Sequence, residues 1–225
     1  MTGLGCGTRY RTIPPGMTEG WAYLITLTTA AFAISPLGAE EFVRRWIDDT
    51  GGKSIKAKFL GYRDGLVGLE TSPGKHIKVP IERLCDGDRH YVESVLCAED
   101  VARLEGVWKA HASEAGGEPA PAELLERLGF EFKAKTVVVK GNSEGGEAMP
   151  ACAYVLDVLR SPREIDIVVG PPDGLVRGIY SFNGDDLVIC LRHGGSEGPR
   201  PKAFNTGVDP DLIQIRLRRA DKSQP

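Results

Sequence analysis

Ser143 sits in Gly141-Asn142-Ser143-Glu144-Gly145, the G-x-S-x-G spacing of a nucleophile elbow. An elbow holds its serine between a strand and a helix, with an acid and then a histidine further along the chain. Thr136 to Lys140 fit the strand, and His193 is the only downstream histidine. Gly146 to Pro150 do not fit an amphipathic helix, so a glycine-rich hairpin loop explains the segment. A serine hydrolase using Ser143 therefore stands as the outlying alternative to a protein that is not an enzyme. Gly3, Gly5 and Gly7 follow no strand and make no phosphate loop. The chain has no C-x-x-C, and His76, His90, His111 and His193 lack metal-ligand spacing. No metal and no cofactor is expected. The remaining chemistry is binding chemistry. Lys56, Lys58 and Lys78 alternate with apolar residues, so all three fall on the wet side of neighbouring strands and form a basic stripe suited to an acidic peptide or an anionic polymer. A solvated face whose lysines discourage edge aggregation is the plain alternative.

Composition sets the frame for these residues. The chain has 225 residues, 41% hydrophobic and 26% charged, which suits one or two globular domains. Gly 28 and Pro 15 favour tight turns and short strands over long helices. The net charge of −3 excludes a general binder of nucleic acid or anionic membrane.

The N-terminus differs from the rest. Gly20 to Ala39 carries no charged side chain, and an apolar centre from Trp21 to Ile34 is followed by Pro36, Gly38 and Ala39. This is the pattern of a signal peptide over residues 1–39, cleaved after Ala39, with the start at Met1 or Met17. It predicts export to the periplasm, cell envelope or exterior, with no membrane association beyond this segment. If the segment is not a signal, the protein is cytoplasmic. Removing it leaves Cys85, Cys97, Cys152 and Cys190. Cys152 and Cys190 both fall in expected strands. They form either a disulfide, stabilising by about 3–4 kcal/mol through loop closure, or two buried thiols.

Residues 40–95 read as the first module. Ile55, Ala57 and Phe59 alternate with the lysines, Asp64-Gly65 makes a turn, Val67 and Leu69 continue the inner face, and Ile77 and Val79 complete it before Pro80. Asp86-Gly87-Asp88 opens a short helical stretch with Tyr91 and Val92. Trp46 is either a peptide platform or a barrel plug. Arg45-Trp46, Asp49-Thr50-Gly51, Ala57 to Gly61, Asp64-Gly65, Gly74, Val79-Pro80-Ile81, Leu84, Asp88 and Tyr91-Val92 resemble the Sla homology domain of the first type. The resemblance implies a small Src-homology-3-like barrel. It also implies binding of a short Asn-Pro-Phe-containing peptide and adaptor roles linked to cytoskeletal proteins and ubiquitin. Lys56, Lys58, Lys78 and Trp46 are the candidate peptide-binding residues.

Residues 96–101 read as a linker, and residues 220–225 as a tail. Between them, residues 102–219 carry eight or nine short strands, which predict an up-and-down barrel with one short helix near Pro121 to Leu128. Asn183-Gly184 is the strongest hairpin signal. Gly106-Val107-Trp108, Pro162 to Asp166, Gly178-Ile179-Tyr180, Gly184 to Leu187, Cys190, Pro199-Arg200-Pro201 and Phe204 resemble the lipocalin-like family of planctomycete bacteria. The resemblance implies a barrel that either holds a small apolar ligand or is filled by its own side chains. Trp108, Tyr180 and Arg200 are the candidate ligand-binding residues. Arg200 either holds an anion at the rim or pins a loop through Asp166 or Asp185.

The expectation is thus a mostly β, exported, non-catalytic binding protein. It would recognise a protein or peptide through the first barrel and a small apolar ligand through the second. A structural envelope module with filled barrels, and a cytoplasmic adaptor of the Sla type, are the alternatives.

Overall fold

The computed structural model describes residues 43–72, 74–141, 149–170, 174–192, 198–207 and 209–220. The signal-like segment, Ser143 and His193 lie outside them. The described chain is 54% strand and 17% helix, the mostly β composition expected.

Four strands open it: β1 (Val43–Ile47), β2 (Ser54–Arg63), β3 (Leu66–Thr71) and β4 (Lys75–Pro80). They form one antiparallel sheet in the order β1-β2-β3-β4. Asp64 and Gly65 both have positive φ and join β2 to β3 by a two-residue turn, the geometry that an Asp-Gly pair favours. The alternation works as the sequence implies. Trp46, Ala57, Val67 and Leu69 are buried on the inner face, while Lys56 and Lys78 are exposed.

A short 3-10 turn (Ile81–Arg83) leads into α1 (Asp86–Leu104). The helix is 19 residues long, where the sequence suggested a short stretch and then a linker; residues 96–101 lie inside it. Its buried residues are Asp88, Val92, Leu96, Asp100 and Leu104, one every four residues. With 3.6 residues per turn, each step of four advances about 40°, so the stripe winds about 160° around the helix from end to end. That winding lets one helix serve two cores. Val92 and Leu96 pack with Trp46, Val67 and Leu69, whereas Leu104 packs among Trp108, Phe130 and Leu217. Val158 joins the first core as well, and Leu156 packs against both.

The second sheet contains β5 (Gly106–Ala115), the two-residue β6 (Glu118–Pro119), β7 (Gly129–Lys133), β8 (Thr136–Lys140), β9 (Cys152–Asp157), β10 (Arg163–Val168), β11 (Leu175–Asn183), β12 (Asp186–Arg192) and β13 (Leu212–Arg219). Between β6 and β7 lies α2 (Ala122–Arg127). Every pairing is antiparallel, and β13 pairs back onto β5, closing an eight-stranded up-and-down barrel with β6 as an appendage. The β11–β12 turn falls one residue later than Asn183-Gly184 suggested. Asn183 pairs with Asp186, so Gly184 and Asp185 form the loop, and only Gly184 of the four needs positive φ.

Candidate functional site

Trp46 is 1% exposed. Its Nε1 donates to the Ala57 carbonyl at 3.0 Å, and its ring lies against Phe59 and Tyr91. It belongs to the core and offers no peptide platform, because α1 covers the inner face where Trp46 points. Arg44 crosses the same cluster, 4.2 Å from the Tyr91 ring, and pairs with buried Asp88 at 2.8 Å. Asp88 also accepts the Ile47 amide at 2.6 Å.

The opposite face is open. Lys56, Lys58 and Lys78 share it, as the period-two pattern requires. Lys58 faces Glu70 across the strands, and Glu70 also lies 3.7 Å from His76. The face is therefore a mixed row with exposed lysines at either side rather than an unbroken basic stripe. Its concave part is a groove of about 550 Å³ lined by Leu60, Gly61, Leu66, Gly68 and Lys78, with Tyr62, Arg63 and Asp64 at the end by the β2–β3 turn. Gly61 and Gly68 are cross-strand partners, and Gly68 in turn pairs with Lys78. Two side-chain-free positions side by side leave bare backbone as a floor. The register shifts between Phe59 and Gly61, which adds Leu60 as an extra residue, 46% exposed. The groove thus combines an exposed apolar residue, a bare floor, the Lys78 cation and, at its turn end, the Arg63–Asp64 pair. This site escaped sequence reasoning, although glycines inside strands are a known mark of close approach by a ligand or another backbone.

The barrel interior is occupied. Phe130, Phe132, Tyr154, Tyr180, Ile165, Leu187, Ile189 and Leu217 are among its packed side chains. Trp108 is 3% exposed and donates to the Leu104 carbonyl at 2.7 Å, and the Arg219 guanidinium covers its ring at 4.6 Å. The Tyr180 hydroxyl donates to Asp100 at 2.5 Å, deep in the structure. Burial, then this hydrogen bond, raises the Tyr180 pKa well above the ordinary phenol value. Both Trp108 and Tyr180 are buried, at 3% and 0% exposed, with their polar atoms engaged inside the protein.

Arg200 is also spoken for. Its Nε lies 3.0 Å from Glu164 and its Nη1 2.6 Å from Asp166, while Nη1 donates to the Gly178 carbonyl at 2.8 Å. It pins the loop after β12 onto β10 and β11 and is not open to an anion. Asp166, not Asp185, is the partner.

Cys152 and Cys190 are free thiols. Strand alternation puts Cys152 in the barrel core, whereas Cys190 packs outside it with Ile179, Leu212 and Phe204. The sheet separates them, so the pairing considered from the sequence does not form. Burial pushes the Cys190 thiol up to about 11.

The comparisons with known proteins agree with the first module. Residues 36–100 match the SLA1 homology domain 1 (SHD1) family. The actin cytoskeleton-regulatory complex protein SLA1 of Mycosarcoma maydis is 36% identical over 52 residues, 23% of this chain and 4% of its own length. The corresponding sla1 protein of Schizosaccharomyces pombe is 35% identical over 63 residues, 28% of this chain and 4% of its own length. No solved structure matches the chain. The family match ends at residue 100, and the comparisons do not show the lipocalin-like family expected for residues 102–219.

Proposed function

We propose that this protein is a non-catalytic adaptor whose first module binds a peptide or protein partner in the Gly61–Gly68 groove. The observation that carries the reading is the bare backbone floor on the exposed sheet face, within the segment that matches the SHD1 family. An extended peptide can lie on such a floor, place an apolar side chain beside Leu60, and put a carboxylate near Lys78. The relatives are named as members of an actin cytoskeleton-regulatory complex, and a role in assembling proteins fits that name. The filled barrel supports a scaffold role for the second module in place of small-ligand transport.

The test is calorimetric titration of the whole chain with a short synthetic peptide containing Asn-Pro-Phe followed by acidic residues. Gly68→Val is the decisive variant. A Cβ at Gly68 would meet Leu60 Cβ at 3.5 Å, an ordinary contact, and valine suits a strand. The fold is retained while the floor is filled. Saturable binding to the parent, lost in Gly68→Val and weakened in Lys56→Glu with Lys78→Glu, supports the proposal. Equal binding by parent and Gly68→Val ends it.

A further inference from the structure

Beside that groove, and sharing Tyr62, Arg63 and Asp64 with it, a second concavity of about 350 Å³ opens where the β2–β3 turn, the end of α1, the β9–β10 connection and β11 meet. Four arginines line it, Arg63, Arg103, Arg160 and Arg163, against a single carboxylate, Asp64. Three of them have acidic partners. Arg163 grips Asp100 at 2.6 and 2.7 Å, Arg160 meets Asp157 at 3.1 Å, and Arg63 lies 3.4 Å from Asp64. Arg103 differs. Its guanidinium lies 3.9 Å from the Phe182 ring centre, and among the described residues it has no carboxylate partner.

The obvious structural task for Arg103 is to neutralise the carbonyls at the C-terminal end of α1. Other residues already do this. Arg219 Nη1 donates to the Glu105 carbonyl at 2.7 Å, Arg219 Nη2 donates to the Arg103 carbonyl, and Trp108 Nε1 takes the Leu104 carbonyl. The Arg103 charge is left facing the cleft. Stacking on a ring fixes the guanidinium plane while leaving its N–H fork free at the edge, which is the arrangement that receives oxyanions.

We propose that this cleft binds a small oxyanion, the phosphate or carboxylate group of a low-molecular-weight ligand. Arg103 would be its principal anchor, and Arg63 and Arg160 would supply further positive potential across the opening. The volume suits a small molecule, and the ring of Phe182 already serves as a support for the anchoring guanidinium.

The probes are inorganic phosphate and citrate, titrated into the full chain at constant ionic strength made up with chloride and followed by amide chemical shifts. The expected result is saturation by at least one probe with a dissociation constant of about 1 mM or tighter. Shifts should centre on Arg103, Ser181 and Phe182. Preference between the probes then assigns the ligand group as phosphate or carboxylate. Arg103→Gln should weaken binding about tenfold or more with the fold retained and the melting temperature lowered only slightly, because Arg103 is exposed and loses only its contact with the Phe182 ring. Arg63→Gln should weaken it less, because the Arg63 charge already lies beside Asp64. Linear, unsaturated shifts with both probes overturn the proposal, as does saturation that is the same in Arg103→Gln.

Discussion

Asp100→Asn should be among the most damaging conservative changes in this protein. The carboxylate is 2% exposed and receives three charge-assisted or hydroxyl bonds, two from Arg163 and one from Tyr180. Asparagine keeps the shape, but its amide turns a donor toward a donor and leaves the Arg163 charge unmatched. Removing one partner of a buried ion pair costs about 3–5 kcal/mol. The Arg163 side chain is 30% exposed, so water relieves part of its charge and the expected loss is about 3 kcal/mol. With a urea slope of about 2–3 kcal/mol per molar, the midpoint should fall by about 1 M. Arg163→Met should cost at least as much, since it strands the deeper member of the pair. The double variant Asp100→Leu with Arg163→Met should lose markedly less than the sum, with a coupling of about 2 kcal/mol or more. A loss below about 0.5 kcal/mol in Asp100→Asn, or strict additivity in the double variant, would refute the view that this pair ties α1 to the barrel.

Other outcomes follow from the same geometry. The folded-state pKa of Tyr180 is raised by burial and then by Asp100, so its stabilising contribution is complete below the unfolded value near about 10 and declines above it. Parent stability relative to Tyr180→Phe should therefore fall by about 1.4 kcal/mol per pH unit above that point; parallel profiles contradict the assignment. Alkylation without reductant should modify Cys190 only on unfolding, and the denatured protein should show no bridge between Cys152 and Cys190. Independently of the geometry, the signal-like sequence pattern predicts that protein from its host begins at Glu40 by intact mass; a chain that keeps residues 1–39 removes the cleaved-signal reading.

The sequence made the strands legible because their inner residues alternate cleanly: Ala57, Val67 and Leu69 against Lys56 and Lys78, and the barrel strands in the same manner. It hid the length of α1. Two of the five stripe positions are Asp88 and Asp100, so the apolar periodicity is broken where the buried charges lie, and their partners Arg44 and Arg163 are 44 and 63 residues away. Trp46, Trp108 and Tyr180 drew attention because aromatic residues serve both cores and sites, and only the three-dimensional neighbours separate the two. The groove was illegible for the converse reason. Its defining feature is the absence of side chains at Gly61 and Gly68, and only the β2–β3 register brings those positions together.

The proposed peptide site lies on the outer face of the first sheet. It is tested most directly by mapping amide shifts of the labelled full chain while adding the Asn-Pro-Phe-containing acidic peptide. Saturable shifts confined to residues 60–62, 66–68 and Lys78 are expected, and none of them in Gly68→Val. Shifts confined to the barrel, or no saturation at all, would contradict it.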